Sequence, residues 1–172
     1  DGTPLESVAD GMLWGTGIGT LGSQLFPQWA LGVRPRMFVS HAFAHTEEYL
    51  ELKCNLIETR LSFYDHSVPV YEQFPTQSER TLRRLLRQQI RGASVVVLLA
   101  GPGVATRPCV RDEMIMAMRA GKPILVVDQD AYGRSSLPSI VADYPLVRFA
   151  TMNDTSAMMR ELSKALLLRG NA

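Results

Sequence analysis

The residue best placed to do chemistry is Glu113, within "CVRDEMIMAMRAGKPILVV". On a helix, side chains three and four positions apart are neighbours. For Glu113 these are Cys109, Val110, Met116 and Ala117, and none is basic. Arg111 and Arg119 fall on other faces. A carboxylate beside an apolar face, with no local cation, loses hydration. Its pKa rises, which makes it useful near neutral pH. Such a group can also oppose positive charge that develops during a reaction. The plainer alternative is a half-exposed glutamate early in a helix, where the dipole favours an acid. Spacing alone leaves both open.

A second candidate is "GIGTLG" (17–22), which fits the G-x-G-x-x-G phosphate fingerprint. Its context argues against that role. "SVADGMLW" before it is a poor strand, and no acid stands about 20 residues on, near Ala42, to hold a ribose. The glycines belong instead to a spacing of small residues at Gly11, Gly15, Gly19 and Ser23. That spacing lets helices approach closely. It predicts a helix or partly helical arm over 8–26, docking on the core or on another subunit.

The bulk numbers fit one globular domain with an appended segment. The chain has 172 residues, 46% hydrophobic and 20% charged, with net charge +1. That balance gives no global drive toward nucleic acid or anionic membranes. Cys54 and Cys109 form no disulfide or metal pattern, and the three histidines are scattered. A reducing, cytoplasmic compartment is expected. No basic run precedes residues 11–33, so a secretory signal is not expected. That stretch lacks charge, but Gln24, Pro27 and Gln28 interrupt it, which disfavours a membrane span.

Composition changes at "RPRM" (34–37), where a Gly-rich extension (1–36) gives way to a domain (37–172). "MFVSH" (37–41), "SVVVLLA" (94–100) and "KPILVVD" (122–128) read as strands, "LSFYDHSVPV" (61–70) as a short strand running into a loop, and "LVRFA" (146–150) as a fifth, weaker strand. Between them lie helical segments. One is capped by Thr46, with Tyr49, Leu52 and Leu56 on its apolar face. The next opens with the capping box "TQSE" (76–79). A third is opened by Thr106 and Pro108 and closed by Gly121, and a last one starts at Asp154 or Thr155 and runs to about Leu168. Apolar strands alternating with helices predict an α/β fold: a five-stranded parallel sheet, flavodoxin-like, covered on both faces. Ligands in such sheets bind at the carboxyl ends of the strands. The expected site therefore lies at the loops after 37–41, 61–65 and 94–100, and at the start of the 107–120 helix.

Three segments carry a family resemblance: "MFVSHAFAH", "FYDHSVP", and "QIRGASVVVLLAGPGVATRPCVRDEMIMAMRAGKPILVV". Together they resemble the TIR-like domain family of bacterial antiphage defence, in particular the TIR-like subunit of the Thoeris system. The likeness covers roughly 37–130; beyond that it is architectural. It implies an NAD-cleaving enzyme, an NAD hydrolase or ADP-ribosyl cyclase. Such an enzyme breaks the nicotinamide–ribose bond to make a nucleotide signal or deplete NAD. NAD would be substrate, with no permanently bound cofactor and no metal.

The resemblance places the catalytic glutamate on Glu113. The family's usual tryptophan falls on Cys109, so an apolar wall beside the glutamate is lost. Phe38, Ser40, His41 and Phe43 would line the first loop. Ser40 and His41 offer hydrogen bonds to ribose or phosphate, and Phe43 a ring for stacking. Tyr64, Asp65 and Ser67 would form a second wall, and Gly101 and Gly103 would admit close backbone approach. His41 also fits a structural role, and Phe38 a place in the core. Asp65-His66-Ser67 has the composition of a triad, but three adjacent residues fit a turn better.

Arg80, Arg83, Arg84, Arg87 and Arg91 lie along the 76–91 helix. They read as a solvated face or as a surface for an acidic partner, including a second copy. Self-association is expected through this helix or the Gly-rich segment. A phage-derived or system-encoded activator is a further expected partner, and specific nucleic-acid binding is not expected. The alternative to an enzyme is a non-catalytic TIR-like interaction module that signals by self-assembly. A nucleoside-transferring enzyme of related architecture is a third reading.

Overall fold

A computed structural model of the chain describes residues 34–41, 46–58, 63–65, 79–128 and 137–168. In chain order the elements are β1 (Arg36–Ser40), α1 (Thr46–Glu58), β2 (Tyr64–Asp65), α2 (Glu79–Gly92) and β3 (Val95–Ala100). A 3-10 turn (Val104–Thr106) follows, then α3 (Pro108–Arg119), β4 (Ile124–Asp128), α4 (Ser139–Ala142), β5 (Val147–Thr151) and α5 (Thr155–Leu168). The five strands form one sheet in the order β2-β1-β3-β4-β5. All pairings are parallel. This is the expected flavodoxin-like arrangement.

The strands sort their side chains by alternation. From β3, Val95, Val97 and Leu99 face a core built with Leu52 and Leu56 of α1 and with Met158, Leu162 and Leu166 of α5. Val96, Leu98 and Ala100 face the opposite core with Ile90 of α2, Val110 and Met114 of α3, and Val141 of α4. A strand buried on both faces has no polar side, which is why β3 reads as an unbroken apolar run. At the amino end of the sheet, the Lys122 ammonium is buried and donates to the Ala93 carbonyl at 2.7 Å.

Several boundaries differ from the expectation. β1 starts at Arg36, and β2 is only two residues long within the expected 61–70. Thr106 does not open α3. Its hydroxyl donates to the Gly103 carbonyl at 3.0 Å within the 3-10 turn, and Arg107 is the N-cap, with Pro108 in the first turn. The stretch between β4 and β5 holds a short helix, α4. On α2, Ile90 is fully buried, whereas Leu82 is 37% exposed. Gly121 closes α3 at φ +62°, the left-handed conformation that favours glycine. The predicted 8–26 helix and the Thr76 side of the capping box lie outside the described residues. Among the described residues, no helix is long and apolar enough to cross a membrane.

Candidate active site

β1 and β3 are adjacent, and the chain leaves them in opposite directions along the sheet. That is a switch point, the place where sheets of this kind bind ligands. Ser40 ends β1 on the same face as Phe38, toward α2 and α3. Glu113 descends from α3, one residue before the buried Met114 and three after the buried Val110. Packing of those two apolar residues fixes the rotation of α3, so Glu113 is held at the end of β1. The buried Ser40 hydroxyl donates to Glu113 Oε2 at 2.5 Å. Burial pushes the Glu113 carboxyl up to about 7; the Ser40 hydrogen bond opposes this, and the neighbouring Asp112 charge adds to it. The carboxyl can therefore exchange a proton near neutral pH.

A second group of polar side chains stands beside Ser40. The half-buried His41 ring stacks on Tyr49 of α1, with centroids 4.7 Å apart and planes 6° from parallel. His41 Nδ1 lies 3.5 Å from the Val39 carbonyl. The Tyr49 hydroxyl donates to Asp65 at the end of β2. Lys53, one turn along α1, pairs with the same carboxylate at 3.3 Å. Its ammonium also lies 5.2 Å from the Tyr49 ring centroid. Tyr49 is thus held by its ring, stacked on His41 and lying under the Lys53 ammonium, and by its hydroxyl, and it supports His41.

The remaining expected residues divide. Phe38 is only 2% exposed and packs in the core, so it underlies Ser40 rather than lining an opening. Tyr64 is exposed and faces away from Asp65, beneath the Arg34 guanidinium at 6.0 Å. Gly101 is buried directly after β3, and its carbonyl accepts from the Val104 amide at 3.2 Å. A Cβ on Gly103 would meet nothing within 4 Å. The backbone there, at φ +76°, favours glycine whatever the space around it. Cys109 is a free, exposed thiol one helical turn before Glu113. Phe43 and Ser67 lie outside the described residues. Among the described residues, no cluster of His, Cys, Asp and Glu could hold a metal ion.

Residues 38–133 match the family described as Thoeris protein ThsB, TIR-like domain. The chain belongs to this TIR-like family of antiphage defence. No curated protein matches the chain. Among solved structures, a CMP N-glycosidase from Clostridium botulinum, BcmB, is similar at 17% identity. The match covers 75% of this chain and 98% of that one, with a TM-score of 0.49.

In this TIR-like domain, the sequence reading missed two residues of the polar group, Tyr49 and Lys53. Tyr49 reads as part of an apolar helix face, and it does pack, partly buried, against the core. Its hydroxyl is the part that reaches β2. The available signal was the i,i+4 pair of an aromatic and a lysine near the end of a strand. The partner, Asp65, comes from a different element.

Proposed function

We propose that this TIR-like domain cleaves NAD, as a hydrolase or ADP-ribosyl cyclase serving antiphage defence. The observation that carries the proposal is the Ser40–Glu113 pair at the switch point. When the nicotinamide–ribose bond breaks, its electron pair leaves with the nicotinamide nitrogen. Positive charge remains on the ribose. An ionised Glu113, partly withdrawn from water, opposes that charge more strongly than a solvated carboxylate does. The Ser40 hydroxyl holds the carboxylate in one orientation. Water then adds to the ribose carbon and gives up a proton, or a nucleophile of the same molecule closes a ring.

The test is nicotinamide release by purified full-length chain, with and without lysate from phage-infected cells as activator. Glu113→Gln keeps the shape and a hydrogen-bond acceptor but removes the charge. A loss of about 100-fold or more is expected for a group acting on the reacting atoms. Equal release by both proteins, or none from either under activation, would refute the enzyme reading. Glu113-independent signalling by self-assembly would then take its place.

A further inference from the structure

Helix α2 carries a dense array of one charge sign. Its sequence, ERTLRRLLRQQIRG, holds five arginines and one acid, Glu79. Arg80, Arg84 and Arg87 follow one another at i, i+4 and i+7, so they share a face. All three are exposed. None pairs with an acid among the described residues. Arg83 differs: it bridges to Asp112 of α3 at 2.7 Å and to Glu79 at 3.2 Å. It anchors α2 to the helix that carries Glu113. Like charges three and four residues apart repel, so a face serving only solubility would intersperse acids.

The side chains of Arg80, Thr81, Arg83, Arg84 and Arg87 border one open space of about 590 Å³ along this face. Guanidinium groups are forks that match phosphate oxygens in pairs. Arg80 and Arg87 lie about 10 Å apart along the helix axis, which spreads the charge over more than one phosphate. A nucleic acid would engage a longer basic surface, and the whole chain carries a net charge of only +1. We propose that the arginine face of α2 is a second binding site, separate from Glu113, for a small polyphosphate anion such as the phosphate chain of a nucleotide.

The experiment measures equilibrium binding of inorganic tripolyphosphate to the full chain at 0.15 M salt. Inorganic phosphate and a short DNA duplex serve as comparison ligands. The variant is Arg80→Gln, Arg84→Gln, Arg87→Gln, which keeps good helix formers and spares Arg83. The charge-matched control replaces Arg111, Arg119 and Arg160, all exposed on α3 and α5, by glutamine. Thermal unfolding establishes that both variants fold. Tripolyphosphate should bind more tightly than phosphate, and the α2 variant should lose at least about tenfold in affinity while the control loses less than about threefold. No binding by the parent chain, equal losses in both variants, or tighter binding of the duplex than of tripolyphosphate would each overturn the proposal. None of these results depends on NAD cleavage.

Discussion

At Glu113, burial and hydrogen bonding pull in opposite directions. Burial favours the neutral acid, the Ser40 hydroxyl favours the carboxylate, and burial wins, leaving the pKa near 7. If the carboxylate is the working form, NAD cleavage should rise about tenfold between pH 6 and pH 8, the change in its ionised fraction. A pH–rate profile checks this. Ser40→Ala removes the stabilising donor, so the profile midpoint should move to higher pH. The same shift predicts stability with the opposite sign. The folded-state pKa lies above the unfolded value of 4.5. The folded chain therefore holds the proton more tightly, and stability is lost as pH rises from about 4.5 to about 7. Glu113→Gln should unfold like the parent chain at pH 4.5 and be more stable at pH 8, by up to about 3 kcal/mol. Denaturant titrations at the two pH values measure the difference.

At the scale of elements, α3 depends on its ends as well as its buried face. Gly121 stops it in the left-handed region, and a Cβ there would meet nothing within 4 Å. Gly121→Ala thus isolates the backbone cost, and a loss of about 1–2 kcal/mol is expected in thermal or denaturant unfolding. β2 shows the reverse dependence. Its two residues pair with β1 at only two register positions. Tyr49 and Lys53 of α1 tie Asp65 down from above. Much of this was legible beforehand, because each long strand is a short apolar run and each long helix shows a repeated apolar face. β2 was legible as a short strand within 61–70, but not its bounds, and α4 was not legible, because a helix of one turn carries no period to detect.

Across the whole molecule, the sheet separates two cores, and only one of them supports Glu113. Met114 and Leu162 are both fully buried, on opposite faces. Replacing either by alanine should cost about 2–5 kcal/mol. Met114→Ala should also lower nicotinamide release, because it loosens the helix that aims Glu113. Leu162→Ala, on the far face, should leave release unchanged while the protein is folded. Parallel denaturant and nicotinamide assays on the two variants separate the roles.

The sequence by itself determined the layered α/β plan, because strand and helix periods are local properties of side-chain spacing. It also marked Glu113, since the absence of a basic neighbour at helical spacing can be read directly. Tertiary structure alone decided what faces that carboxylate. Ser40 lies 73 residues away in the chain, and parallel strands meet only after long crossovers. The His41–Tyr49–Asp65 arrangement has the same origin, three elements converging at one sheet edge. Phe38 went to the core for a related reason: alternation gives residues 38 and 40 the same face, and only the position nearer the strand's end reaches Glu113. Pairings between elements depend on which faces the sheet brings together, and no single segment contains that information.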